Sequence, residues 1–129
     1  MSHFTRIKTQ LNDLEAVEAA VEGLGYPYAR NAFVRGYAGN TTQAELVCSP
    51  GREYDIGFVQ SSGAEISVVA DWWGVGKDSG LKQDVFLKSL RQRYAHHLIT
   101  KQFASQGFQL VQEHCATDQT VKLTFRRWR

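Results

Sequence analysis

Asp55 and Asp71 lie at the two ends of the stretch YDIGFVQSSGAEISVVADWWG, which runs from Tyr54 to Gly74. Two carboxylates held side by side do chemistry that one alone does not: their repulsion raises one pKa for acid–base work, or the pair binds a hard cation. Gln60-Ser61-Ser62-Gly63 separates two apolar-rich runs in the manner of a β-hairpin turn, which would bring the two acids together. In such a hairpin they share the odd-numbered face with Gly57, Val59, Glu65, Ser67, Val69 and Trp73. The even-numbered face, from Tyr54, Ile56 and Phe58 to Ile66, Val68, Ala70 and Trp72, is the one to bury against a helix. Like charges directly opposed destabilise a sheet. The plainer expectation is therefore structural, with one acid capping a turn and the other paired to a cation such as Arg35 or Arg91.

Other residue types carry weaker signals. His97 is a candidate general base, with Asp71 available to orient it, although a core histidine with a satisfied ring fits the same position. His96 projects about 100° away around a helix, so the two histidines do not readily share a metal ion. Trp73, next to Gly74-Val75-Gly76, could form a stacking platform, and Arg35, Tyr37 and Arg93 join it as candidate ligand contacts. Those glycines lack the spacing and the following Lys-Ser/Thr of a phosphate-binding loop. Arg126-Arg127-Trp128-Arg129, with Arg91, Arg93 and Lys101, suggests weak RNA binding through phosphates, but a net charge of +2 is too small for strong binding by charge alone. Cys48 and Cys115 have neither zinc-site spacing nor a partner motif and are expected to be free thiols. No nucleophile triad or Walker motif is present, and no cofactor is predicted.

These residues need a scaffold. A chain of 129 residues with 43% hydrophobic and 22% charged content is one ordinary globular domain, spanning 1–129. No apolar run reaches the roughly 20 residues that span a bilayer, so membrane insertion is not expected. The start, Met1-Ser2-His3-Phe4, reads as a mature cytosolic terminus without a signal peptide. Residues 1–65 carry 5 Lys/Arg and 8 Asp/Glu, whereas residues 66–129 carry 10 and 5. An acidic helix in one half and a basic helix in the other account for the asymmetry.

The pattern predicts a strand over 2–8, then a helix capped by Asn12 and Glu15 with Leu14, Val17, Val21 and Leu24 on one stripe, stopped at Gly25 and Pro27. A strand over 29–37, a short strand over 44–48 and the central hairpin follow. Gly74 to Gly80, with three glycines, reads as a flexible connection. A long helix over about 82–105 presents Phe86, Leu87, Leu90, Tyr94 and Leu98 in one arc, with His97 inside it. Strands over 108–115 and 120–127 form a second hairpin around Ala116-Thr117-Asp118-Gln119. The expected order, β-α-β-β-β-β-α-β-β, is α+β: an antiparallel sheet with two helices on one face, its first seven elements following the TATA-binding-protein-like repeat.

Several segments taken together resemble one family. They are Ser2-His3-Phe4 with Ile7-Lys8-Thr9, Arg35-Gly36-Tyr37 with Gly39 and Thr41-Thr42-Gln43-Ala44, Tyr54-Asp55-Ile56-Gly57-Phe58, Ala70-Asp71-Trp72-Trp73-Gly74, Arg93-Tyr94-Ala95-His96-His97 and Gln106-Gly107-Phe108. The likeness is to the hypothetical chloroplast reading frame 35 family of cyanobacteria and algal plastids, a domain of unknown function. It spans nearly the whole chain and implies a small cytosolic or stromal protein of an oxygenic phototroph, with no established activity or cofactor. In the family pattern an aromatic often stands where His96 is, so the resemblance implies that His96 is the less essential of the two histidines. From the residues, the function expected is a non-enzymatic binding or accessory module with a protein partner. The alternatives are a small enzyme using Asp55, Asp71 and His97, or a weak RNA binder.

Overall fold

The computed structural model describes residues 3–115, except the Cys115 side chain, and 120–127. The turn expected at Ala116–Gln119, the pair Trp128-Arg129 and the start of the first strand at Ser2 lie outside the described residues. Five strands, β1 (Thr5–Lys8), β2 (Tyr28–Arg35), β3 (Thr41–Cys48), β4 (Ile56–Val59) and β5 (Ser67–Ala70), form an antiparallel sheet in the order β1-β5-β4-β3-β2. The central hairpin holds the register Ile56↔Ala70, Gly57↔Val69, Phe58↔Val68 and Val59↔Ser67. Its even-numbered side chains Ile56, Phe58, Ile66, Val68 and Ala70 are fully buried, and Tyr54 and Trp72 pack partly buried against the same core.

Helices α1 (Leu14–Gly23) and α3 (Gln83–Ser105) cover that face, contributing Ala16, Val17, Ala20 and Val21 from one and Phe86, Leu87, Leu90 and Tyr94 from the other. The N-cap of α1 is Asp13 rather than Asn12, its carboxylate accepting from the Ala16 N–H at 3.1 Å. The backbone N–H of Asp13 in turn donates to the Tyr94 hydroxyl at 3.2 Å, tying the start of α1 to α3. An Asx cap one residue later serves the same orphan donors, so the helix still begins where the apolar stripe does.

Three expectations need correction. The Gly74–Gly80 segment is not a flexible connection: Trp72–Ser79 forms a helix, α2, capped by Asp71 and closed by Gly80 in the left-handed conformation (φ 78°). Its glycines lower helix propensity, yet a good cap at each end and the burial of Gly74 and Val75 hold it. Leu98 does not continue the buried stripe of α3 and is exposed, because the helix runs on for three turns past Tyr94, beyond the five-stranded sheet. Finally, β6 (Phe108–Cys115) and β7 (Val121–Arg127) do not extend the sheet but make a separate two-stranded ribbon. A helix of 23 residues is ~35 Å long and carries the chain away from both sheet edges.

The ribbon is fastened to the far half of α3 by Phe103, whose ring lies 4.3 Å from Phe125 and 5.6 Å from Phe108. Replacing Phe103 with alanine should free this ribbon at a cost of about 2–3 kcal/mol to its docking, leaving the main core intact. Hydrogen exchange reads this directly: amides of 108–114 and 121–127 should lose protection while those of β4 and β5 keep theirs.

Candidate functional site

The outer half of the β2–β3 ribbon curls over the sheet face opposite the helices. At Asn31 the backbone steps to φ 50°, a left-handed conformation that Asn tolerates better than most residues. Beyond it Val34 and Ala44 are buried with Val47 in a second, smaller core. Gly57 in β4 is what lets this arch sit close: a side chain there would run into Val34 and Ala44. The ribbon ends in a 3-10 turn, Tyr37–Gly39, with Ala38 at φ 56°.

The arch delivers Arg35 to Asp55. Asp55 is 2% exposed, and its Oδ2 accepts from the Arg35 Nε at 2.8 Å and the Arg35 backbone N–H at 2.9 Å. Its Oδ1 accepts from Arg35 Nη2 at 3.0 Å and the Ser49 hydroxyl at 2.7 Å. The Arg35 carbonyl also accepts from the Asp55 N–H at 3.1 Å. Burial by itself would raise the Asp55 carboxyl; the bonds from the Arg35 guanidinium, the Ser49 hydroxyl and the Arg35 amide, with the Arg35 charge, outweigh it and hold it below the usual range. Asp71, one register step past Ala70 and equally buried, has its Oδ1 on the Gly74 N–H at 3.2 Å as the α2 cap. Each acid thus has the structural employment that the plainer expectation described.

Alongside lies a cleft of about 320 Å³, lined by Arg35, Gly36, Ala38 to Thr41, Glu53 and Tyr54. Tyr54 is set against α2, where a Cβ on Gly74 would overlap its ring. Asp78 of α2 turns back to accept from the N–H groups of Glu53 at 2.8 Å and Tyr54 at 3.0 Å, so it braces this wall. Those amide bonds, helped by the charge of Arg35, keep the Asp78 carboxyl low. Trp73 is 56% exposed on the outer side of α2, with the Lys77 ammonium 5.0 Å from its ring centre, and Tyr37 is 47% exposed. Trp72 instead faces Phe86 at 5.8 Å. The two tryptophans point apart because they are consecutive residues of a helix, about 100° apart, and not because of strand alternation.

His97 and Arg93 do not belong to this end. Arg93 lies along Gly23 at the end of α1. His97 is three turns along α3 from Phe86, the residue that meets Trp72, a rise of ~16 Å that separates it from Asp71. Its neighbour His96 approaches Glu113 of β6 at 3.4 Å. Cys48 is buried, and desolvation, with the negative charge of Asp55, pushes its thiol up to about 12, which makes it inert. Among the described residues no group of three His, Cys, Asp or Glu is placed to hold a metal ion. No described helix is long and apolar enough to cross a membrane. The parts played here by Ser49 and Asp78 had no signal in the sequence; Gly51, which makes room for Asp78, was the available hint, as Gly74 was for the seat of Tyr54.

The family model "Protein of unknown function (DUF1257)" matches residues 20–124. The chain belongs to this DUF1257 family. Over 136 aligned residues it is 38% identical to "Uncharacterized protein ycf35" of Guillardia theta, covering 100% of this chain and 99% of the relative. Proteins of the same description from Cyanophora paradoxa and Pyropia yezoensis are 26% and 27% identical, again over almost the full length of both chains. The resemblance drawn from the motifs is therefore correct. No solved structure matches. The DUF1257 region contains every element from β2 to β6, so the arch, the cleft and α2 all fall within the family's extent.

Proposed function

We propose that this DUF1257 protein is a non-enzymatic binding module that holds a protein partner at the open end of its central hairpin. The observation that carries the reading is that Trp73, Tyr37 and the half-exposed Arg35 all stay accessible on segments that enter or leave the same braced end of the sheet. Trp, Tyr and Arg are the residue types that dominate binding energy at protein interfaces. Here they stand on supports that need little ordering: Arg35 is clamped by Asp55, Trp73 rides on a capped helix, and Tyr37 sits in a 3-10 turn. Pre-organised groups lose less entropy on binding. The enzyme reading is the weaker one, since both oxygens of Asp55 already accept two hydrogen bonds, Asp71 caps α2, and His97 lies elsewhere. Work in the cytosol or stroma of an oxygenic phototroph fits the algal relatives.

The test compares immobilised wild type with Trp73→Ala and Tyr37→Ala, each verified as folded by circular dichroism, as baits in an algal extract. Proteins held through this end should drop at least ~10-fold in recovery with Trp73→Ala, the equivalent of ~1.4 kcal/mol. Equal recovery with all three baits would overturn the reading.

A further inference from the structure

The outer face of the β6–β7 ribbon is a second surface, separate from the Trp73 end. Its register pairs His114 with Lys122, Gln112 with Thr124 and Gln109 with Arg126, and each such pair points to one side of the ribbon. The side toward α3 is settled by contact: Phe108 and Phe125 meet Phe103, and Glu113 meets His96. The other six side chains therefore face outward, and Lys122, Thr124 and Arg126 of β7 are all exposed. Alternation has put the ribbon's described carboxylate, Glu113, on the inner side. The outer face has two permanent cations, a histidine, two amides and a hydroxyl, and beside them Val111, unpaired at the register shift between Leu110 and Gln112, is also exposed.

We propose that this face binds single-stranded RNA. Lys122, Thr124 and Arg126 recur every second residue, so successive groups stand ~6.6 Å apart in one line. The two cations, Lys122 and Arg126, thus stand ~13 Å apart, close to two phosphate steps of an extended nucleic-acid strand. The cations meet phosphates, while Gln109, Gln112 and Thr124 supply paired donors and acceptors for base edges and 2′-hydroxyls. A membrane surface fits less well, because electrostatic lipid binding uses clusters of four or more Lys/Arg and has no use for interleaved amides. Complementarity of sign is local here: the acidic residues of the first half, such as Glu15, Glu18 and Glu45, lie around α1 and β3 and not on this ribbon.

Fluorescence anisotropy of a labelled, unstructured 20-nucleotide RNA titrated with the full chain tests the proposal. Binding should weaken linearly on a log–log plot against salt, with a slope of about −0.7 for each phosphate neutralised. Two or three contacts set the expected slope at roughly −1.4 to −2.1. The variants Lys122→Gln and Arg126→Gln, exposed polar replacements compatible with a strand, should each weaken binding and flatten the slope by ~0.7. Trp73→Ala should bind RNA as wild type does, which separates this surface from the protein-binding end. Absence of binding at 50 mM salt, equal binding by wild type and Lys122→Gln/Arg126→Gln, or tight binding only to anionic vesicles would each overturn it.

Discussion

Asp55→Ala should lower the stability of the fold by about 2–4 kcal/mol, seen as a fall in the urea midpoint with an unchanged slope. The acid accepts four hydrogen bonds from Arg35 and Ser49, and removing it leaves those donors without their acceptor. The figure stays below the 5 kcal/mol limit for buried pairs because the Arg35 side chain is 49% exposed and water can take over part of its guanidinium. Asp55→Asn should fall between, since the amide keeps one acceptor oxygen but sets an N–H₂ group against the arginine.

The same pair has a pH signature. The folded carboxyl is held below its unfolded value of ~3.9, so its contribution is complete above that value. It is lost as pH falls through the lower folded value. The stability gap between wild type and Asp55→Ala should therefore be constant from neutral pH to about pH 5 and close at more acid pH. A gap that persists undiminished at pH 2 would mean that packing, and not the ion pair, produces the effect. The cleft should change as well, because Arg35 forms one of its walls.

Gly74→Val should be still more harmful, at roughly 3 kcal/mol or above, and its contrast with Gly76→Ala is the informative part. Both glycines belong to α2, where glycine-to-alanine substitution ordinarily gains up to ~1 kcal/mol. At Gly76 a Cβ would meet only the Leu81 carbonyl at 3.9 Å, so Gly76→Ala should raise the midpoint. At Gly74 any Cβ lands on the Tyr54 ring, and a branched side chain forces Tyr54 out of the wall it forms between the core and the cleft. A cycle with Tyr54→Ala separates the causes: the two substitutions together should cost well under the sum of their separate effects. Additive costs would place the damage elsewhere, in the helix itself.

How much of this was legible beforehand depends on the range of the interaction. Strict alternation in Ile56, Phe58, Ile66, Val68 and Ala70 marked the buried face of the hairpin, because the side-chain period of a strand is a local property. The 3.6-residue spacing of Val17, Val21, Phe86, Leu90 and Tyr94 likewise marked the faces of α1 and α3. That one of Asp55 and Asp71 would cap and the other pair with a cation followed from the cost of opposed like charges, with Arg35 and Arg91 both named; which acid took which role did not. The short helix α2 escaped notice because propensity sums penalise its glycines, while its stability comes from the Asp71 cap, the Gly80 stop and the burial of Val75.

Composition and periodicity determined the class of fold, the core faces and the residues with chemical potential. Tertiary structure decided which of those residues meet. Arg35 reaches Asp55 only because β2 and β3 curl at Asn31 across Gly57, and His97 is kept from Asp71 by the length of α3. Local periodicity reports which way a side chain points from its own strand or helix, whereas the partner it finds depends on the order and curvature of elements far away in the chain.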